Sequence, residues 1–98
     1  MLCSTGTYAT PNGSKYLQQL CKHFAHKAEV TFDTTSGQVA LHSGPATLSA
    51  DAAGLTVTVT AADEGGLPGA QFAIDKHLAI FAHREGFTAM TWAAPVAG

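Results

Sequence analysis

The sequence predicts one α+β domain in which two helices pack on the same face of a single antiparallel sheet. Apolar side chains recur at helical spacing in residues 14–28 and 67–85, whereas the region between them alternates apolar and polar residues with a period of two. Because the connections in that region are short, consecutive strands are expected to be antiparallel neighbours. The expected order is β-α-β-β-β-β-α-β, a two-layer sandwich that occupies residues 1–98 as a single domain.

The first helix is expected over residues 14–28, after a short strand at 4–10. Thr10 is the expected N-cap and Pro11 the expected first helical residue. One apolar stripe is predicted to face the core, formed by Leu17, Leu20, Cys21, Phe24 and Ala28. The other side is polar and carries Tyr16, Gln19, His23, His26 and Lys27. Since Cys21 points away from His23, we expect Cys21 to be a buried thiol and not a metal ligand.

The polar side of this helix is a candidate ligand site. His23 and His26 are three residues apart, so in a continuous helix their rings lie one turn apart on the same flank. Two imidazoles so placed could bind one metal ion such as Zn or Fe, or one small anion. Tyr16, Gln19 and Lys27 share the face, which makes a small polar ligand equally consistent. An ordinary exposed polar face is the alternative.

Four further strands are expected between the helices, at 28–33, around Val39 and Leu41, at 46–50 and at 55–60. Their outward positions are almost free of charge and comprise Thr31, Thr47, Ser49, Thr56, Thr58 and Thr60. An uncharged sheet face of this kind favours a partner, most simply a second copy of the chain. The alternative is that threonine suits an exposed strand.

The second helix is expected to begin near Pro68, after Asp63 and Glu64, and to end at Gly86. Its apolar stripe comprises Leu67, Ala70, Ile74, Leu78 and Phe81. A last strand is expected at 87–92 and a tail at 93–98.

The end of the second helix holds the candidate catalytic residues His77, Arg84 and Glu85. Glu85 is expected to pair with Arg84, with His77 or with a residue of the first helix, because a partly buried carboxylate needs a partner. If the helices pack side by side, His77 could meet the flank with His23 and His26, with Glu85 nearby. In an enzyme, His77 or His23 would act as general base and Arg84 would bind a substrate carboxylate.

The composition excludes several classes of protein. Charged residues make up only 12% of the chain and the formal net charge is −2, so the basic surface of a nucleic-acid-binding protein is not expected. No apolar run approaches the roughly 18 residues of a membrane-spanning helix. The two cysteines, Cys3 and Cys21, form neither a disulfide framework nor a Cys-x-x-Cys motif, which favours the cytoplasm.

The run Leu20-Cys21-Lys22-His23-Phe24-Ala25-His26-Lys27 resembles the bacterial domain-of-unknown-function family 2218, and the likeness continues through 49–55 and 77–85. The resemblance carries over five candidate residues: His23, His26, His77, Arg84 and Glu85. Phe24 stands where a tryptophan is expected and His83 where an aromatic residue is expected. Separately, the expected order of strands and helices resembles the TATA-binding-protein-like fold of the C-terminal domain of phosphohexomutases, an analogy of fold alone.

Members of that family are often encoded beside iron or siderophore uptake genes, and some bear the name 2,4-dihydroxyhept-2-ene-1,7-dioic acid aldolase. The chain is far too short for the barrel of such aldolases. The leading interpretation is therefore a small cytoplasmic binding or accessory protein that takes a metal, an iron chelate or a small anion at the His23/His26 flank. The alternatives are a small lyase acting on a carboxylic acid and an interaction module that pairs through its sheet face.

Overall fold

The computed structural model describes residues 1–97. The strands and helices follow in the order β1 (Leu2–Ala9), α1 (Gly13–Phe24), β2 (Val30–Phe32), β3 (Ser36–Leu41), β4 (Gly44–Ala50), β5 (Gly54–Ala61), α2 (Leu67–Ala82), a 3₁₀ turn (His83–Glu85), β6 (Thr91–Trp92) and β7 (Val96–Ala97).

The strands form one antiparallel sheet with the order β2-β3-β4-β5-β1-β6. β2 to β5 make the predicted meander, and β1 pairs with β5 along its whole length. The free edge of β1 is shared by two short strands, because β6 pairs with Gly6–Thr7 and β7 pairs with Leu2–Cys3. The predicted α+β class is confirmed.

Both helices cover the same face of the sheet, as predicted. α1 contacts β2 to β5, and α2 contacts β5 and β1. Apolar side chains of both layers are fully buried between them, each contributing about 1.5–3 kcal/mol to folding. The largest of these are Leu17, Leu20, Leu55, Leu67, Ile74 and Leu78.

The ends of α1 differ from the prediction. α1 begins at Gly13, not Pro11, and Asn12 precedes it without a side-chain cap. Thr10 is instead held as an extension of the sheet, since its backbone N–H donates to the carbonyl of Ala53. A Cβ on Gly13 would lie 2.5 Å from the carbonyl oxygen of Gly54, so this close approach requires glycine.

α1 also ends early, at Phe24 rather than at Ala28. The N–H groups of Lys27 and Ala28 both donate to the carbonyl of Phe24, which turns the chain toward β2. His26 and Lys27 therefore lie in a turn and not on the helix.

The C-terminal part of the chain is less regular than predicted. α2 ends at Ala82 and continues as the 3₁₀ turn, which Gly86 ends in a left-handed conformation with φ of 77°. The predicted strand at 87–92 is reduced to β6, and before it Phe87 and Met90, three residues apart, are both buried, unlike the alternate residues of a strand with one buried face. The predicted tail contains β7.

No helix or loop among the described residues covers the outer face of the sheet. Thr31, Thr47 and Ser49 on it are exposed, and the threonines of β5 are partly exposed. Thr5 on β1 and Thr58 on β5 form a hydrogen bond of 3.0 Å between their hydroxyl groups. Pairing of two copies through this face stays a prediction. Among residues 1–97, no helix has the length and apolarity needed to cross a membrane.

Candidate functional site

Glu85 accepts hydrogen bonds from four side chains of β1, the following loop and α1, a group that we call the Glu85 cluster. Its Oε1 accepts from Tyr8 Oη at 2.9 Å and from Thr10 Oγ1 at 2.8 Å. Its Oε2 accepts from Asn12 Nδ2 at 2.9 Å and from Tyr16 Oη. The cluster thus joins the end of α2 to the beginning of α1 across 69–77 residues of sequence.

The electrostatics of the cluster hold Glu85 ionised. Hydrogen bonds from Tyr16, then Asn12 and Thr10, lower the pKa of the Glu85 carboxyl to about 2. The same bond to Glu85 is the main reason that the pKa of the Tyr16 hydroxyl rises to about 12. A carboxylate accepts about four hydrogen bonds, and Glu85 already accepts four. This geometry suits a structural link better than a general acid or a metal ligand.

The donors to Glu85 are neutral groups, and of the three alternative partners expected for it the structure shows a residue of the first helix, Tyr16. Tyr16, predicted on the polar side of that helix, is buried, and its hydroxyl donates to Glu85. The sequence does not identify Tyr8, Thr10 or Asn12 as partners of Glu85. No local pattern signals them, because their common partner lies at the other end of the chain.

His23 and His77 meet where α1 and α2 lie side by side. Their ring centroids are 4.2 Å apart at an interplanar angle of 45°. Phe24 packs edge-on against His77 at 5.2 Å, and Phe81 packs against His23 at 6.3 Å. Gln19 lies one helical turn before His23 on α1. We call Gln19, His23, His77 and Phe81 the histidine seam.

Two buried polar atoms at the seam, Gln19 Oε1 and His77 Nδ1, have no hydrogen-bond partner among residues 1–97. Burial lowers the pKa of His77 below its usual value, and the charges of His23, Lys76 and Lys27 lower it further. His77 is therefore mainly neutral at pH 7, with one ring nitrogen as donor and the other as acceptor.

The donor set at the seam does not fit a resident Zn or Fe ion. Within residues 1–97 no group of three or more His, Cys, Asp or Glu side chains is arranged to hold a metal. The expected cluster of three histidines is reduced to a pair, because His26 is exposed in the turn after α1 and Glu85 belongs to its own cluster. Metal binding by His23 and His26 alone stays a prediction.

The remaining candidates lie around the seam. Lys27 is exposed in the turn after α1, close enough to lower the pKa of His77 by its charge. Arg84 is exposed on the 3₁₀ turn. The structure thus brings together Gln19, His23 and His77, with Lys27 nearby, and keeps Tyr16 and Glu85 as a separate group.

Comparisons with known proteins agree with this architecture. The chain is similar to the protein in the NMR structure of PA4090 from Pseudomonas aeruginosa, with a TM-score of 0.77 and 27% sequence identity over 95% of this chain and 96% of that chain. None of the curated proteins matches it. A family model described as an uncharacterized protein conserved in bacteria (DUF2218) matches residues 5–93. The chain therefore belongs to the DUF2218 family.

Proposed function

We propose that the protein is a small binding or accessory protein that holds a small anion, such as a carboxylate or a phosphate, at the histidine seam. The observation that carries the proposal is the contact between His23 and His77 beside a buried ring nitrogen that has no hydrogen-bond partner. An unpartnered buried polar atom is unfavourable by about 1–3 kcal/mol, so a ligand or water that hydrogen-bonds to it is favoured.

The distribution of charge favours an anion over a metal cation. Every lysine and arginine of the chain lies on a helix or in the turn after it: Lys15, Lys22, Lys27, Lys76 and Arg84. Lys27 and Lys76 act on His77 through their charges. Positive charge near two imidazoles attracts a carboxylate or phosphate and opposes a divalent ion. An anionic iron chelate belongs to the same ligand class.

The surroundings of the seam favour binding over catalysis. Two concavities of about 450 and 440 Å³ lie elsewhere, one beside β2 and β3 and one at the N-terminal end of α2, and neither includes a seam residue. A catalytic site needs a concave, water-poor cleft, whereas a pair of histidines that binds a small anion at the surface does not. We therefore favour a binding protein over a lyase, and we place it in the cytoplasm because free thiols persist there.

The proposal is tested by NMR titration of histidine ring signals with inorganic phosphate, citrate and, separately, Zn(II). We expect phosphate or citrate to shift the His23 and His77 signals saturably. His23→Gln and His77→Gln should each weaken binding by about tenfold, as expected when a hydrogen bond to a charged group is lost. His42→Gln, on the hairpin between β3 and β4, is the matched control and should bind as the wild type does.

The sign of the ligand charge is tested by Lys27→Gln. Removing this positive charge should weaken the binding of an anion and strengthen the binding of a cation. If Zn(II) binds, requires His23 and binds more tightly to Lys27→Gln, the proposed ligand of the seam becomes a metal ion instead of an anion. Absence of saturable anion binding up to 10 mM, on the order of the weakest specific affinities, would overturn the proposal.

A further inference from the structure

We infer that the outer face of α2 is a homodimer interface, in which Phe72 of each copy enters a groove at the N-terminal end of α2 of the other. The interface is separate from the histidine seam. It is built from an exposed aromatic side chain, a groove of matching chemistry beside it, and complementary charges.

α2 carries apolar side chains on the face that it turns away from the sheet. Phe72 is 64% exposed and Ile80 is 58% exposed, although Ile74 and Leu78 of the same helix are fully buried. A helix that is apolar on both faces normally has a partner on each. Exposed aromatic residues of this kind are typical centres of protein interfaces.

A groove at the N-terminal end of α2 is mainly apolar, and its α2 side is lined by small residues, opposite the hairpin residues Leu41, His42 and Ser43. Its volume is about 440 Å³, and the wall on α2 and its N-terminal loop is formed by Gly65, Gly66, Gly69, Ala70 and Ala73. A Cβ added at Gly69 would meet no atom within 4 Å, so the surface there is open. Glycine and alanine let another helix approach closely.

An antiparallel pairing of two α2 helices fits these features when the two-fold axis passes between Ala70 and Gln71. Phe72 then faces Gly69 of the second copy, which places the ring in the groove. Lys76 then lies level with the loop before α2 of the second copy, which carries the exposed acidic residues Asp63 and Glu64. A two-fold axis repeats both contacts, so the interface is self-complementary.

The charges select this pairing over a neighbouring one. An axis at Lys76 would place Phe72 against Ile80 but would also bring the two Lys76 ammonium groups together at the axis. Like charges in direct contact are unfavourable. The pairing near Ala70 instead gives each Lys76 an acidic neighbour, which is why we commit to a second copy as the partner.

The test is analytical ultracentrifugation over a concentration series. We expect a reversible dimer in the wild type, with the dissociation constant raised by about tenfold or more in Phe72→Ser, the usual effect of removing a central aromatic side chain. Gly69→Leu should fold normally, because its side chain points into open space, and should block the groove. Val96→Ser is the matched control, since Val96 is an apolar residue that is 58% exposed, close to the 64% of Phe72, but it lies on β7.

A charge exchange tests the register. Lys76→Glu should weaken the dimer, and the double variant Lys76→Glu/Glu64→Lys should restore it. A wild-type protein that stays monomeric at millimolar concentration would overturn the inference. A dimer that is unaffected by both Phe72→Ser and Gly69→Leu would also overturn it. If Thr58→Lys dissociates that dimer, the interface lies on the outer face of the sheet instead.

Discussion

Gly6 and Trp92 form a contact that can be broken by a single methyl group. Trp92 on β6 pairs with Gly6 on β1, and its indole ring lies over the glycine. A Cβ at Gly6 would lie 2.7, 2.8 and 2.9 Å from three atoms of that ring. Asp75 on α2 holds the ring in place, because its carboxylate accepts from Trp92 Nε1 and from the backbone N–H of Met90, both at 2.9 Å.

The expected effect of Gly6→Ala follows from these distances. The ring must move to make room, and overpacking of this kind lowers the free energy of unfolding by about 1–3 kcal/mol. Weakening of the Trp92 hydrogen bond to a charged acceptor adds about 1.5 kcal/mol or more, whereas the stiffer unfolded chain offsets about 0.4–1 kcal/mol. We therefore expect a net loss of about 1.5–4 kcal/mol, which lowers Tm by about 6 °C or more in a domain of this size.

The measurement is thermal unfolding followed by circular dichroism and by the fluorescence of Trp92, the single tryptophan. In a Trp92→Leu background, Gly6→Ala should no longer lower the free energy of unfolding and should raise it by up to about 1 kcal/mol, because the overlap is gone and the effect on the unfolded chain remains. Gly69→Ala, where a Cβ meets nothing within 4 Å, is the control and should be neutral or stabilising. Equal losses in both backgrounds, or an unchanged Tm in Gly6→Ala, would refute the reasoning.

Three further predictions concern titration and reactivity. The folded-state pKa of Glu85, about 2, lies below its ordinary value of 4.5, so the stability it contributes is present above pH 4.5 and lost as the pH falls toward 2. The difference in urea midpoint between wild type and Glu85→Gln should therefore narrow below pH 4.5, and a constant difference would contradict this. The His77 ring should titrate below pH 6.5 when its NMR signals are followed, and a titration midpoint at or above pH 6.5 would contradict this. Because its pKa is lowered in the folded state, the stability that His77 contributes should be present above pH 6.5 and decline below it. Burial raises the pKa of Cys21 to about 11. A thiol reagent at pH 8 should therefore modify Cys3 in the folded protein and Cys21 only after unfolding. Rapid modification of both cysteines would show that Cys21 is accessible.

The helices and the central strands could be predicted because their burial follows simple periodicity. Leu17, Leu20, Cys21 and Phe24 are buried as the helical stripe requires, and the alternation of β5 is reproduced residue by residue. The ends of α1 could not be predicted in the same way. The hydroxyl of Thr10 accepts from the backbone N–H of Asn12 at 3.1 Å, as that of an N-cap would, but α1 begins only at Gly13. The same hydroxyl donates to Glu85, which lies 75 residues away. The local preference is thus satisfied, and the tertiary contact that accompanies it could not be read from the local sequence.

The candidate site was predictable only in part, for a related reason. The meeting of His23 and His77 follows from two helix flanks packed side by side, and helical spacing identifies both flanks. The exclusion of His26 depends on where α1 ends, which the backbone contacts at Phe24 determine. The Glu85 cluster depends on the register between the end of α2 and the start of α1, and no segment of the sequence contains that information.

The Glu85 cluster and the histidine seam are connected by the geometry of the helix pair. Tyr16 and Glu85 are joined where α1 begins and α2 has just ended. From Tyr16 to His23 is about two helical turns along α1, and from Glu85 back to His77 is a similar distance, roughly 10–12 Å in each case. Because the bond between Tyr16 and Glu85 fixes the start of α1 against the end of α2, the antiparallel helices bring His23 level with His77 about two turns away. A ligand at the seam would find both rings already in position, so little of its binding free energy would be used to order them.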